Sequence, residues 1–209
     1  MLGGMLRILV VGLVVLVAAM FMLPRAPTPP AAATVLPEPR ALPAVELVDT
    51  AGARLDLGAF RGRYSLLYFG FTNCPDVCPL TLKVLADARV KLAERSPLVV
   101  PQIVFVSVDP SRDSPAEIAS YLGRFDPAFV GATAPTERLA PLLEALGVTV
   151  EKHRHGGDDY TITHNDTIYV IGPGAELIAV ASGPHDAAIV ASDFLKIRQR
   201  YRASHRAPA

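Results

Sequence analysis

Tyr64-Ser65-Leu66-Leu67-Tyr68-Phe69-Gly70-Phe71-Thr72-Asn73-Cys74-Pro75-Asp76-Val77-Cys78-Pro79 is the stretch whose reading decides the fold. Its first half is an aromatic and aliphatic run closing at Gly70, the pattern of a strand buried on both faces. Residues 80–92 then carry apolar side chains at helical spacing. Strand, loop and helix follow one another, and the only two cysteines of the chain fall at the junction of loop and helix. A thiol at a helix N-terminus meets unpaired N–H groups and the positive end of the dipole, which lowers its pKa and populates the metal-binding thiolate. Inside a regular helix, cysteines four apart have Cβ vectors running side by side, an awkward disulfide geometry. With Cys74 in the loop, Cys78 in the helix and Pro79 at an early helical position, a disulfide and a two-sulfur metal site both become accessible.

Outward from this centre, residues 102–108 read as a second buried strand closed by Asp109-Pro110. Ser114-Pro115-Ala116-Glu117 sets serine at the N-cap, proline at N1 and glutamate at N3 of a helix running to about Arg124. Residues 135–146 give a further helix ending at Gly147, and Lys152-His153-Arg154-His155-Gly156-Gly157-Asp158-Asp159 reads as an exposed polar loop. Residues 167–171 and 176–181, around Gly172-Pro173-Gly174, predict a hairpin, and 186–200 a terminal helix opened by His185. Before the central strand, residues 45–57 alternate about Gly52, a hairpin signal. This order is the one expected of an α/β, thioredoxin-like fold with an additional N-terminal β-hairpin.

The chain has 209 residues and no internal repeat, room for one domain over 43–202 and a flexible tail over 203–209. Lysine plus arginine equals aspartate plus glutamate at 20 each, so no overall field favours nucleic acid. Residues 8–23 are uncharged and apolar, close to the roughly 20 residues that span a bilayer. An N-terminal membrane anchor over 1–24 is expected, with a cleaved signal peptide as the alternative. The run exceeds the about 7–15 residues of a secretory apolar region, which favours the anchor. Residues 25–42 are crowded with proline and alanine and read as an extended spacer.

Two thiolates suit Cu(I) but leave its coordination incomplete, and imidazole is a fitting third donor. Of the five histidines, His164 ranks first because it stands just before a strand, where it can project toward the helix N-terminus. His205 lies in a charged tail, and His153 with His155 reads as a solvated loop pair, with auxiliary copper donors as the alternative. Asp76 reads as a helix cap, and Asp109, Arg112 and Asp113 as an ion-paired turn. For the cysteines, a structural disulfide and a redox dithiol stand beside the metal site; a peroxidase-like thiol enzyme is the weakest alternative.

The chain resembles the Sco/SenC family of copper chaperones for cytochrome c oxidase assembly. The resemblance rests on Tyr68-Phe69-Gly70-Phe71-Thr72-x-Cys74-Pro75-Asp76-Val77-Cys78-Pro79, on Val106-Ser107-Val108-Asp109-Pro110-x-Arg112-Asp113-x-Pro115, and on Tyr160-x-x-x-His164 followed by Tyr169-x-Ile171-Gly172-Pro173. It implies one copper per chain, Cu(I) with Cu(II) as a second state, held by Cys74, Cys78 and His164. The implied partner is the copper domain of oxidase subunit II, with another periplasmic copper chaperone or a thiol reductant as further candidates. The alternative function is a membrane-anchored thiol-disulfide oxidoreductase that uses Cys74 and Cys78 to keep the partner's copper-ligand cysteines reduced. The implied setting is the bacterial inner membrane, single-pass, with the domain on the periplasmic side. Two positions depart from the family's habit: Thr163 stands where Asp often precedes the ligand histidine, and Asn73 where His often precedes the first cysteine.

Overall fold

In the computed structural model, which describes residues 10–13, 28–156 and 159–205, the strand that leads into the cysteine loop and its helix is a central strand of an eight-stranded sheet. The strands are β1 Thr34–Ala41, β2 Leu47–Asp49, β3 Arg54–Leu55, β4 Ser65–Gly70, β5 Gln102–Ser107, β6 Val130–Thr133, β9 Thr167–Ile171 and β10 Glu176–Ser182, in the spatial order β1-β10-β9-β4-β5-β6-β2-β3. Two further strands, β7 Val150–Gly156 and β8 Asp159–His164, make a separate ribbon. The helices are α1 Val77–Arg95, α2 Pro115–Leu122, α3 Thr136–Leu146 and α4 Ala187–Ser204.

β4, β5 and β6 run parallel, and β9 flanks β4 antiparallel. Every residue of β4 and β9 is buried, as their predominantly apolar sequences favour. At about 1.5–3 kcal/mol for each fully buried large apolar side chain, these central strands supply much of the driving force. The Ser114 capping box forms with both of its hydrogen bonds, and Gly147 closes α3 in the left-handed conformation at φ 66°, which a side chain would oppose. The N-terminal hairpin is β2 with β3, and β2 also pairs with β6.

Four expectations change. β6 was not foreseen, because Val130-Gly131-Ala132-Thr133 is short and built of small residues; its place is set by tertiary pairing to β5 and β2. The polar segment expected as a loop over 152–159 belongs largely to the β7–β8 ribbon. The second half of the expected spacer is β1, an edge strand on β10. Pro37 and Pro39 are tolerated because the register shifts between Val35 and Arg40, so their missing N–H groups leave no gap in the ladder. His185 does not open α4: Asp186 is its N-cap, accepting from the N–H groups of Ala188 and Ile189. No helix among the described residues is long and apolar enough to cross a membrane, and the expected anchor over 1–24 lies, apart from 10–13, outside them.

The segment before β1 is held by one side chain of α4. Asp193 accepts from the N–H groups of Ala31, Ala32 and Ala33 at 2.6, 2.7 and 3.0 Å. Burial pushes its carboxyl up, but those N–H groups and Lys196 outweigh burial and hold it below the usual range. A depressed native pKa means the stabilisation is present above the unfolded value, about 3.9, and is lost as pH falls through the native one. Asp193→Ala is expected to cost about 1–3 kcal/mol, to expose residues 31–41 to limited proteolysis, and to lose its difference from the parent chain below about pH 4. Equal cleavage of both chains at neutral pH would show that Asp193 does not secure this segment.

Candidate metal centre

β4 delivers the backbone to the site at Gly70, where a Cβ would lie 2.8 Å from the Phe105 ring and 3.1 Å from Cys78 Sγ. Only glycine lets the strand pass this close to the sulfur. The chain turns through residues 71–76, with Cys74 N–H donating to the Phe71 carbonyl at 3.2 Å, and α1 begins at Val77. Cys74 is therefore in the loop and Cys78 in the first helical turn. Asp76 occupies the N-cap position but makes no side-chain cap bond, contrary to its sequence reading. The sulfur of Cys74 serves instead, accepting from Cys78 N–H at 3.4 Å. Both cysteines are free thiols, Cys78 fully buried and Cys74 half-buried, so the disulfide alternative is not formed.

His164, the last residue of β8, brings its Nε2 to 3.1 Å from Cys78 Sγ. Its Nδ1 lies 3.1 Å from the Asn165 carbonyl oxygen. A carbonyl only accepts, so Nδ1 carries the proton and the Nε2 lone pair faces the sulfurs. Asn165 is itself fixed: its side-chain oxygen accepts from Thr149 N–H at 3.0 Å and its amide donates to Thr167 and Tyr169 at 3.2 and 3.0 Å. Tyr68 and Phe71 set their rings edge-on to the imidazole, with centroids 6.1 and 5.9 Å away. The donor atoms of Cys74, Cys78 and His164 all lie within 4.8 Å of one another.

Among the described residues this is the one group of three or more Cys, His, Asp or Glu side chains so placed. Thr163 faces away, its hydroxyl 3.2 Å from His153 Nε2, because consecutive strand residues point to opposite faces. The orientation of His164 thus rests on the main chain of Asn165. Asn73 is exposed beside the site.

The two thiols are electrostatically unequal. Interaction with the Cys78 thiol, then with His164 and the N–H groups of Asp76 and Cys78, overcomes burial and pushes Cys74 down to about 4. The same Cys74 interaction, with burial, pushes Cys78 far up. At neutral pH the pair therefore holds one negative charge, on the more accessible sulfur.

What keeps the arms in register lies in residues read from the sequence only as a charged turn. Asp113, 1% exposed, accepts from Thr72 N–H at 2.9 Å, Thr72 Oγ1–H at 2.6 Å and Ser107 Oγ–H at 2.5 Å, tying the cysteine loop to the end of β5. Asp109 accepts from the Tyr160 hydroxyl at 2.6 Å and pairs with Arg112 at 2.5 Å. Arg112 in turn donates to the Tyr160 carbonyl at 3.1 Å and covers its ring at 3.7 Å. Since Tyr160 lies on β8, this turn also anchors the histidine strand. A third tie joins Thr81 of α1 to Asp166, just beyond His164, at 3.0 Å. Sequence pattern marked Tyr160 and Asp113 through their motifs; nothing in the sequence marked Thr81, Asn165 or Asp166 as their partners.

The other histidines do not reach the sulfurs. His153 and His155 sit exposed on β7; His185 is buried against Asp166 at 3.4 Å; His205 stacks on Tyr201 at 4.0 Å.

In the reduced protein, alkylation is expected at Cys74 down to mildly acidic pH, its rate falling off toward about pH 4, with Cys78 protected until unfolding. Mass spectrometry of the labelled cysteine after timed quenching checks this; preferential labelling of Cys78 would contradict it. Asp113→Asn replaces an acceptor by a donor facing buried donors, and is expected to destabilise by about 1–3 kcal/mol, measured by denaturant unfolding.

The sequence pattern of the SCO1/SenC family matches residues 36–199 of this chain. A putative copper-binding protein of Stutzerimonas stutzeri is 34% identical over 142 residues, 68% of this chain and 69% of that protein. The mitochondrial SCO1 homolog 1 of Arabidopsis thaliana is 32% identical over 157 residues, 75% of this chain and 46% of that protein, so the match spans about half of that relative. The crystal structure of Arabidopsis thaliana ScoI with copper bound superposes with a TM-score of 0.70 at 31% identity, covering 75% of this chain and 98% of that one. The thioredoxin-like α/β fold is the one shared with these Sco structures.

Proposed function

Because this chain belongs to the SCO1/SenC family, we propose that it carries one copper ion on Cys74, Cys78 and His164 and hands it to the binuclear copper site of cytochrome c oxidase subunit II. The observation that carries the reading is the convergence of two sulfurs and one imidazole nitrogen within 4.8 Å. Two soft donors with one imidazole suit Cu(I), and the copper-bound Arabidopsis structure supports the same cargo here. Thr163 turns away from the site, so its departure from the family's habit leaves the donor set unchanged.

The inequality of the thiols fits both loading and release. Cys74 is deprotonated at neutral pH and able to capture the cargo; Cys78 is buried beside it and gives up its proton only when the cation arrives. Cys74, half-buried, is the donor an incoming partner thiolate reaches first. A low-pKa thiolate also leaves readily, so exchange proceeds from the open side while Cys78 and His164 retain the ion.

The thiol-disulfide alternative uses the same accessible and buried pair. Against it stands the pKa of Cys74: a stabilised thiolate is a weakened nucleophile and favours the reduced dithiol, a poor setting for a reductant and a good one for a metal carrier. We further propose that residues 1–24 tether the domain to the bacterial inner membrane on its periplasmic side, a reading supported by the apolar run at 8–23. Membrane fractionation with and without 1–24 tests it.

The reduced chain is expected to bind one Cu(I), with near-complete loss for Cys74→Ser or Cys78→Ser and a weakening of at least about tenfold for His164→Ala, or about 1.4 kcal/mol. Competition titration against a Cu(I) chelator measures this, and equal affinity of parent and His164→Ala would remove histidine from the donor set. With one thiol ionised beforehand, loading at pH 7 should release about one proton per Cu(I), and affinity should rise with pH across neutrality. Calorimetry in buffers of different ionisation enthalpy counts that proton. Transfer to an apo subunit II copper domain decides between the functions: disulfide reduction without metal transfer would favour the reductase.

A further inference from the structure

The ribbon that carries His164 has a second face. Pairing of Glu151 with Thr163 and of His153 with Thr161 places Glu151, His153, Thr161 and Thr163 on its outer side. The register shifts after Arg154, yet His155 remains on that side, its Nε2 3.0 Å from Thr161 Oγ1, as His153 Nε2 is 3.2 Å from Thr163 Oγ1. A Glu151 carboxylate oxygen lies 3.8 Å from His153 Nε2. The sequence alone favoured a solvated loop pair over auxiliary copper donors; the structure supplies a strand, and with it a fixed spacing.

We propose that Glu151, His153 and His155 form a second metal site, selective for a borderline divalent cation and for Cu(II) above others. Two histidines at i and i+2 of a strand have Cα atoms about 6.6 Å apart at the usual rise; the three donors do not all lie within 4.8 Å of one another as those of the cysteine centre do, so the exposed His155 ring must turn from Thr161 to bring both imidazoles to one ion. Nitrogen and carboxylate donors with open positions for water suit tetragonal Cu(II) or Ni(II), and Cu(II) binds tightest in the divalent series. Neither ring nitrogen is buried or committed to a charged partner other than Glu151; each is turned to a threonine hydroxyl that water can replace.

The inner face gives the site its rigidity. Tyr160 is held between Lys152 at 3.3 Å and Arg112 at 3.7 Å, with its hydroxyl on Asp109 at 2.6 Å. Lys152 and Arg154 add positive charge nearby, which Glu151 offsets in part. The site shares no ligand with the Cys74, Cys78 and His164 centre and stands whether or not that centre carries copper.

The test is Cu(II) titration of the full chain bearing Cys74→Ser and Cys78→Ser, followed by electron paramagnetic resonance. The expected result is one Cu(II) with two imidazole nitrogens coupled to it. His153→Asn or His155→Asn should each weaken binding at least tenfold, the pair should abolish it, and Glu151→Gln should weaken it severalfold. A second arm guards against misfolding of the cysteine variant: the parent chain, loaded anaerobically with Cu(I), is titrated with Ni(II), which is expected to show the same dependence on both histidines. Binding that survives the double histidine variant, binding that follows His164 or His205 instead, or no binding in either arm would overturn the proposal.

Discussion

Two carboxylates in the turn between β5 and α2 hold the two halves of the metal centre in register. Asp113 takes three hydrogen bonds, two from Thr72, and so fixes the loop that bears Cys74. Asp109 takes the Tyr160 hydroxyl and so fixes the strand that ends at His164. Cys78 and His164 are 86 positions apart in the chain, yet their donor atoms meet at 3.1 Å. No local preference could bring that about; a shared, buried anchor can. A buried carboxylate is costly unless nearly all its acceptor capacity is used, and here every bond it accepts also positions a site element.

Around that frame the site is built from main chain as much as from side chains. The Asn165 carbonyl sets the tautomer of His164, and Cys78 N–H at the helix start binds the Cys74 sulfur. Gly70 leaves the space the second sulfur fills. These supports make the thiols unequal, one ionised and reachable, the other protonated and enclosed, and the inequality gives direction to capture and release. The same strand alternation that turns His164 inward turns Thr163 outward, so one ribbon presents a soft donor set on one side and a harder one on the other.

Much of this was legible in the amino-acid order. The buried β4, the cysteine loop, the helix after it, the capping box at Ser114 and the αL stop at Gly147 all follow from local rules of periodicity and capping. The three donors were nameable too, since two thiols at a helix start ask for a third ligand and His164 was the best placed. The readings that changed were those in which long-range pairing outweighed local preference. Proline-rich 34–41 became an edge strand, polar 150–156 a ribbon, and small-residue 130–133 an inner strand.

The sequence by itself therefore determined which residues carry the chemistry, because ligand type, helix start and strand pattern are local properties of the chain. Only the tertiary structure decided how they are held: that Cys74 rather than Asp76 caps the helix, that Asn165 rather than residue 163 orients the histidine, and that Asp109 and Asp113 join the two arms. Such contacts pair groups distant in the chain, and their free energy depends on burial, which no stretch of residues possesses until the sheet has formed.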